Sequence, residues 1–303
     1  MDVSIVIPCY NNKGSLSELL ERVCEVSKHD IFTNHSVNLV FVDDGSADGT
    51  FQELRNLLHS HSEVPAVLVK LTRNFGSYNS FLAGIANAEG DCCVYLHADL
   101  QDPPELIPEM FSHFLKGNSL VIANRESRDD ANIFSTIYHS LVRKYALKNA
   151  PLGGFDLVMF NQRIRNDLVQ LSEKNTNNVY LINWLAYPYV NIPYKRGKRR
   201  FGKSQWGFWK KVKLFVDTFF SFTLLPLRAI RWGFTLSMLL FFISAILLIF
   251  NAESLRLLVL TSSFGLLSFV SFNFIILSEY INRIHETVRN RPNYVVEDIM
   301  KYN

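Results

Sequence analysis

The chain has 303 residues, of which 48% are hydrophobic, and a formal net charge of +3 at pH 7. About 210 residues precede the most apolar part of the chain, enough for one sizeable α/β domain with its own core, and the modest net charge alone indicates no partner. The cysteines lack metal-ligand spacing, which excludes a cysteine-rich zinc site and fits reduced thiols in the cytosol; they are Cys9, Cys24, Cys92 and Cys93. Residues 1–12 lack the basic and long apolar regions of a secretory signal peptide, so we expect them to contain the first strand.

Short apolar runs alternate with amphipathic segments along the first half of the chain. This alternation predicts strands and crossover helices in a largely parallel sheet. The predicted strands are 3–8, 37–42, 66–71 and 92–96. Two Ser/Thr-x-x-Glu patterns predict capping boxes at helix starts, Ser15 with Glu18 and Thr50 with Glu53.

Polar residues follow the carboxyl end of each predicted strand. They are Tyr10 and Asn11, Asp43 and Asp44, Asn74, and Asp99. Ligands of open parallel sheets bind beyond these strand ends, so we expect the side chains to converge on one crevice. No Gly-x-Gly-x-x-Gly follows the first strand, and we expect no Walker-type Gly-Lys-Ser/Thr loop, which argues against a dinucleotide oxidoreductase and a P-loop NTPase.

The fourth strand ends in an acidic cluster, since residues 97–105 read His-Ala-Asp-Leu-Gln-Asp-Pro-Pro-Glu. Unpaired carboxylates in a cleft cost free energy unless a cation or a hydrogen-bonding ligand compensates them. The cluster therefore predicts a metal and a phosphate. The alternative is a polar turn before a helix, with Pro104 near the first helical position and Glu105 favoured by the helix dipole.

Two long runs without charged residues, 232–250 and 257–278, lie near the end of the chain. Each is long enough to cross a bilayer, which takes about 20 residues; a buried hairpin of a soluble core is the alternative. We therefore predict the following division: a sheet domain at 1–210, a juxtamembrane segment at 211–230, a transmembrane hairpin at 231–278 and a cytosolic tail at 279–303.

The segment 195–213 is rich in Lys and Arg and contains no acid. Basic flanks stay in the cytoplasm, so the sheet domain is expected at the cytoplasmic face of the inner membrane, facing anionic lipids or a phosphate-bearing substrate. Nucleic acid is a weaker reading, because a membrane segment follows directly. The segment 212–227 has four Phe around Asp217 and is too short to span, which predicts an interfacial helix or a helix that packs on a partner.

Three motifs resemble family 2 glycosyltransferases of the GT-A fold. They are Ile-Val-Ile-Pro-Cys-Tyr-Asn at 5–11, Val-Asp-Asp-Gly-Ser at 42–46 and Ala-Asp-Leu-Gln-Asp-Pro-Pro-Glu at 98–105. The resemblance extends over essentially the whole chain and is strongest to the polyprenyl-phosphate branch. It implies an α/β, Rossmann-like, mostly parallel sheet with flanking helices, an amphipathic interfacial helix and a C-terminal two-helix transmembrane hairpin.

The resemblance also implies roles for individual residues. Those implied in nucleotide-sugar binding are Pro8, Tyr10, Asn11, Asp43, Asp44 and Asn74. Asp99 and Gln101 would hold a divalent cation, Mg²⁺ or Mn²⁺. His97 stands where the family usually has Asp, so it is either a ligand that shifts the preference towards Mn²⁺ or a neutral donor to a phosphate; a purely structural histidine is a third reading.

On the acceptor side, the implied residues are Arg125, Arg200, Lys203 and Ser204. A solvated or lipid-facing basic surface is the alternative for each cation. Asp102 is a candidate base if the acceptor is a hydroxyl, or a turn acid before Pro103. Asp156 is a weaker candidate, because it comes one place later than the corresponding acid of the family.

The expected reaction is inverting, metal-dependent transfer of one sugar from a UDP- or GDP-sugar to undecaprenyl phosphate, for modification of a cell-envelope glycan. Membrane lipids are the other expected partner, and Gly265, Ser268 and Asn273 leave packing against copies of the chain open. One alternative is transfer to a polysaccharide or other hydroxyl acceptor. Another is a non-catalytic membrane protein that binds nucleotide-sugar.

Overall fold

The computed structural model describes residues 1–60, 63–125, 133–147, 155–171, 178–197, 207–250, 255–289 and 291–303. The chain forms two compact units. The first comprises Met1–Val212 together with Pro292–Asn303, and the second comprises Lys213–Arg291.

The first unit is built on a mixed, mostly parallel sheet. Its described strands are β1 (Asp2–Cys9), β2 (Ser36–Asp43), β3 (Ala66–Leu71), β4 (Cys92–Tyr95), β5 (Leu120–Arg125), β6 (Phe155–Asn161), β7 (Val190–Tyr194) and β8 (Val296–Tyr302). Their order across the sheet is β7-β5-β6-β4-β1-β2-β3-β8. β6 is antiparallel to β4 and β5, β8 is antiparallel to β3, and the other neighbouring strands are parallel.

Helices connect and flank the strands of this unit. They are α1 (Leu16–Ser27), α2 (Thr50–Ser60), α3 (Ser77–Ala86), α4 (Ile107–Leu115), α5 (Ile133–Leu141), α6 (Gln162–Gln170) and α7 (Asn178–Trp184). A short 3₁₀ turn, Pro104–Leu106, leads into α4. The four strands predicted from the sequence are confirmed, each within one residue of its predicted bounds.

The central strands are buried on both faces, as their continuous apolar runs require in a sheet covered by helices. On one face Val3, Ile5 and Ile7 join the main hydrophobic core. On the other face α3 lies very close to β1: a Cβ added at Gly84 would be 2.3 Å from Val6 Cγ1. Only glycine permits this approach, which fixes α3 and the loop that precedes it.

The two predicted capping boxes are wrong. The Ser15 hydroxyl does not cap α1; it donates to the carbonyl oxygens of Asn12 and Ala98, at 2.9 and 3.1 Å. At α2 the carboxylate of Asp48 accepts from the Thr50 amide, 3.0 Å away. The Ser/Thr-x-x-Glu pattern fails here because Ser15 has buried carbonyl groups within reach, and one of them ties the start of α1 to the end of β4.

The strand β8 was not predicted, because residues 279–303 were assigned to a tail. It pairs with β3 and is the outermost strand on that side of the sheet, and ion pairs hold it at Lys70–Glu297 (2.6 Å) and Glu89–Lys301 (3.2 Å). Charged side chains on an edge strand, such as Glu297, Asp298 and Lys301 here, discourage unwanted pairing with other strands. Strand β8 therefore belongs to the same sheet as β1, although the helical unit separates them in the sequence.

The second unit is helical. Its helices are α8 (Phe208–Phe222), which begins just before the unit, α9 (Leu225–Phe250) and α10 (Leu255–Val288). α9 and α10 lie against each other, and Arg283 of α10 donates to Asp217 of α8 at 2.8 Å. Within the described residues one helical segment, Gly265–Val288, has the length and composition to cross a membrane. The complete two-helix hairpin stays a prediction.

Candidate active site

Most of the predicted site residues lie at one edge of the sheet. The carboxyl ends of β1, β2, β3 and β4 meet there with those of β5 and β7, and the antiparallel β6 contributes its amino end. Ligands of such sheets bind outside these strand ends. The site residues at this edge fall into two groups, those near β1–β3 and those near β4–β7.

Near β1–β3, backbone and side-chain hydrogen bonds join the loops after β1 and β2. The Asn11 amide donates to the Ser46 hydroxyl at 3.0 Å, and the Asn11 side-chain oxygen accepts from the Ala47 amide at 3.1 Å. The Tyr10 amide donates to the Asn12 side chain at 2.8 Å. Asn11 has a positive φ of 53°, a conformation that asparagine tolerates better than most residues.

The neighbours of these loops differ in exposure. Pro8 lies beside Val42 at the end of β1 and is half-buried, as is the side chain of Tyr10. Asn74 is exposed in the loop after β3. Asn11 thus has a structural use in joining two loops, whereas Pro8, Tyr10 and Asn74 keep surface available at this edge.

Asp43 and Asp44 are both buried but differ in their partners. The two Asp44 oxygens accept from the amides of Phe75 and Gly76, at 2.7 and 3.0 Å, and burial raises the Asp44 pKa to about 6. Asp43 accepts from the Ser46 amide at 3.3 Å through one oxygen, and its other oxygen has no hydrogen-bond partner among the described residues. Burial also raises the Asp43 pKa. Asp44 therefore shapes the loop after β3, while Asp43 keeps one buried oxygen that no described residue satisfies.

The acidic cluster after β4 forms a tight turn. Leu100 has a positive φ of 57°, which is uncommon for a leucine and marks a constrained backbone. The Gln101 amide donates to the Asp99 carboxylate at 3.2 Å, and the His97 ring packs against Tyr95 with 4.8 Å between ring centroids. The side chains of His97, Asp99 and Gln101 are all half-buried.

The donor set of this turn decides which cation it suits. Burial lowers the His97 pKa, against the opposing charges of Asp102 and Asp99, so the neutral imidazole is favoured. No group of three or more His, Cys, Asp or Glu side chains suited to a metal occurs in the described part of the chain. One carboxylate, one amide oxygen and one imidazole fit a divalent cation that also takes oxygens from its ligand, and imidazole suits Mn²⁺ better than Mg²⁺.

Near β4–β7, five side chains form what we name the arginine cluster: Asp102, Arg125, Asp156, Tyr194 and Arg196. The buried Asp102 carboxylate accepts from the Tyr194 hydroxyl and from Arg196 Nε, the latter at 3.1 Å. Arg196 lies 3.4 Å from Asp156, which also pairs with Arg125. Burial and the neighbouring Arg196 lower the Arg125 pKa. The edge thus holds two guanidinium groups beside the acidic turn.

Sequence reasoning missed Tyr194 and Arg196. Burial and the nearby Asp102 raise the Tyr194 pKa, which keeps its hydroxyl protonated and able to donate. The available signal was position: β7 ends at Tyr194, so the first basic residues of the segment 195–213 follow a strand end. The resemblance pointed instead to Arg200, Lys203 and Ser204, which lie further along the same segment.

The remaining acceptor-side candidates, Arg200, Lys203 and Ser204, lie outside the described residues. They belong to a stretch, 197–204, that reads Gly-Lys-Arg-Arg-Phe-Gly-Lys-Ser. It has the letters of a P-loop, so the expectation that no Walker-type pattern occurs is wrong. Such a match needs a strand-loop-helix phosphate site to support it. Since residues 198–206 are not described, the pattern carries no assignment.

The sheet and its charged edge define a class, that of α/β proteins that bind ligands beyond parallel strand ends. Residues 4–158 match the family model of Glycosyl transferase family 2. An uncharacterized glycosyltransferase of Synechocystis sp. is 30% identical over 99% of this chain and 96% of its own. The undecaprenyl-phosphate 4-deoxy-4-formamido-L-arabinose transferase of Edwardsiella ictaluri is 32% identical over 99% of this chain and 95% of its own.

A solved structure has a similar fold. The mannosyltransferase PcManGT from Pyrobaculum calidifontis, in complex with GDP-Man and Mn²⁺, gives a TM-score of 0.51 at 18% identity, over 67% of this chain and 58% of that chain. The chain belongs to glycosyl transferase family 2, and it is a glycosyltransferase. The resemblance found in the sequence and the α/β fold class are confirmed.

Proposed function

We propose that this glycosyltransferase moves one sugar from a UDP- or GDP-sugar to undecaprenyl phosphate at the cytoplasmic face of the inner membrane. The observation that carries the proposal is the juxtaposition of the acidic turn with the arginine cluster, in which Arg125 and Arg196 lie at one sheet edge. Relatives named undecaprenyl-phosphate transferases, similar over nearly their whole length, support the choice of acceptor.

The proposed reaction is a single displacement with inversion. An oxygen of the lipid phosphate forms a bond to the anomeric carbon while the bond from that carbon to the nucleoside diphosphate breaks, and the electron pair leaves with the diphosphate. A phosphate monoester has a second pKa of about 6, so the acceptor is mostly ionised at neutral pH and needs no strong base. The site must instead bring two anions together, against a repulsion of about 4 kcal/mol at 4 Å and an effective dielectric of 20.

Each part of the edge has a role in this proposal. The unpaired Asp43 oxygen and the half-buried Tyr10 would bind the nucleoside, and Asp99, Gln101 and His97 would hold the cation. A divalent cation held there would stabilise negative charge on the leaving diphosphate. Arg125 and Arg196 would bind the acceptor phosphate, together with Arg200, Lys203 and Ser204 from the basic segment.

Exposed apolar side chains support a membrane location. Trp232, Phe234 and Phe242 of α9 are more than half exposed, at 74%, 55% and 56%, as are Phe274 and Ile275 of α10, at 65% and 66%. Large apolar surfaces of this kind mark contact with lipid or with another protein. The basic segment 195–213 supports a cytoplasmic position for the sheet.

The test uses the full chain in detergent or nanodiscs, with a short polyprenyl phosphate and a panel of UDP- and GDP-sugars. We expect a lipid-linked sugar of inverted anomeric configuration, loss of its formation with EDTA, and recovery with Mn²⁺ or Mg²⁺. Failure to form this product with every donor, together with transfer to a hydroxyl acceptor, would favour the alternative acceptor. Retained configuration would refute the single displacement.

Asp99→Asn tests the proposed cation site. Removing its charge should lower kcat/KM by about 100-fold or more, as the loss of a group that stabilises transition-state charge does. The matched control is Asp91→Asn, because Asp91 lies just before the opposite end of β4 and accepts from the Asp2 amide at 3.0 Å. Near-normal turnover of the Asp99 variant, with the control also active, would contradict the assignment.

A further inference from the structure

We infer that Asp102 is a positioning residue that fixes Arg196 and Tyr194 on the acceptor side, and that it takes no proton from the acceptor. The inference rests on the proposed function and deepens it. From the sequence, Asp102 is a candidate base. In the role inferred here, its carboxylate instead acts only through the protein groups that it binds.

Burial and hydrogen bonding support this role. Asp102 is 1% exposed, and its two oxygens face protein donors: Tyr194 and Arg196 Nε on Oδ1, and Arg196 Nη2 on Oδ2 at 3.5 Å. A general base must come within hydrogen-bond reach of the proton that it removes. The Arg196 side chain, by contrast, is 24% exposed, so it can contact a ligand while its buried side is paired with Asp102.

A second contact joins the same two segments. The Gly197 amide donates to the Gln101 carbonyl oxygen at 2.9 Å, and a Cβ at Gly197 would lie 3.3 Å from that oxygen. The acidic turn is therefore attached to the end of β7 at consecutive points, through Asp102 and through Gln101. This attachment sets the spacing between the proposed cation site and Arg196.

Charge balance explains why the carboxylate is needed. Arg125 and Arg196 are close enough for Arg196 to lower the Arg125 pKa, and each has a carboxylate partner, Asp156 and Asp102 respectively. Arg196 already lies 3.4 Å from Asp156. Without the Asp102 charge, Arg196 would compete with Arg125 for Asp156. Neither arginine would then keep the position from which we propose that it binds the acceptor phosphate.

The two roles predict different kinetics. A lost base lowers kcat and leaves the acceptor KM unchanged, whereas a misplaced arginine weakens acceptor binding. For Asp102→Asn we expect the KM for polyprenyl phosphate to rise about 10- to 100-fold, the range for losing a hydrogen bond to a charged group, with the donor KM within about twofold of wild type. Tyr194→Phe should shift the acceptor KM in the same direction, by less.

Initial rates are measured against each substrate for Asp102→Asn, Tyr194→Phe and the double variant. Because both residues act through one carboxylate, the effects of the single changes should not add. Thermal shifts give a readout independent of turnover: short polyprenyl phosphate should stabilise Asp102→Asn less than wild type, while UDP or GDP stabilises both equally.

Three results would overturn the inference. The first is an unchanged acceptor KM with a large fall in kcat for Asp102→Asn, which would indicate a base. If that variant fails to fold, Tyr194→Phe takes its place, and an unchanged acceptor KM in Tyr194→Phe is the second. The third is wild-type protein that neither transfers to polyprenyl phosphate nor is stabilised by it, which would overturn the proposed function and this inference together.

Discussion

Asp43 and Asp44 show how two adjacent acids of one motif take different tasks. Both are buried, but Asp44 gives its two oxygens to amides of the loop after β3, whereas Asp43 keeps one oxygen unpaired among the described residues. The motif alone indicates that acids are needed at this strand end. It does not say which of the two acids is satisfied within the protein, because the donors to Asp44, the amides of Phe75 and Gly76, come from a loop about 30 residues away.

The raised pKa of Asp44 predicts how stability depends on pH. A folded-state pKa of about 6, above the ordinary value of 3.8, means that the folded protein binds the proton more tightly than the unfolded chain. The contribution is fully present below pH about 4 and is lost as pH rises through about 6. The amide introduced by Asp44→Asn does not titrate. The difference in thermal midpoint, wild type minus variant, should therefore decrease as the pH is raised from about 4.5 to about 7.

Thermal unfolding of both proteins in the same detergent, at several pH values across this interval, checks the prediction. Asp91→Asn serves as the control, because Asp91 is exposed and lies just before the opposite end of β4. A constant difference between wild type and Asp44→Asn over the whole interval would show that Asp44 does not titrate there.

At the scale of elements, the central strands could be predicted because their signal is local. The runs that became β1 to β4 are short and mostly apolar, and each contains at most one polar residue within its predicted bounds. β8 contains three charged residues, Glu297, Asp298 and Lys301, and pairs with β3 across more than 200 residues, so only the tertiary structure reveals it. The capping patterns failed for a similar reason, since the partner of Ser15 at Ala98 lies 83 residues away.

Gly84 is where two elements meet most closely, and it yields a prediction about stability. A Cβ there would lie 2.3 Å from Val6 Cγ1 and 3.1 Å from Val42 Cγ2, so Gly84→Ala forces α3 away from β1 and β2. Overpacking of this kind costs about 1–3 kcal/mol, and we expect a lower thermal midpoint. Gly265→Ala in α10, where no atom of the described residues lies within 4 Å of the added carbon, is the matched control. Equal midpoints for the two variants would contradict the tight packing of α3.

At the scale of the whole molecule, the sheet constrains any path through a membrane. Strand β8 follows α10 in the chain and belongs to the same sheet as β1 to β7. Both ends of the helical unit therefore connect to one domain, and a domain lies on one side of a bilayer. If the segment Gly265–Val288 crosses, a second crossing must return the chain, and α9, with its 26 residues, is long enough to supply it.

Cysteine labelling in intact cells tests this topology. Ala252→Cys, between the two apolar runs, should react with a membrane-impermeant maleimide added from outside. Glu21→Cys, on the exposed side of α1, and Asn303→Cys, after β8, should react only after the membrane is opened. Native Cys9, Cys24, Cys92 and Cys93 are buried free thiols, which keeps the background low. Labelling of positions 252 and 303 from the same side would refute the hairpin, because α10 lies between these positions and would then not cross the membrane.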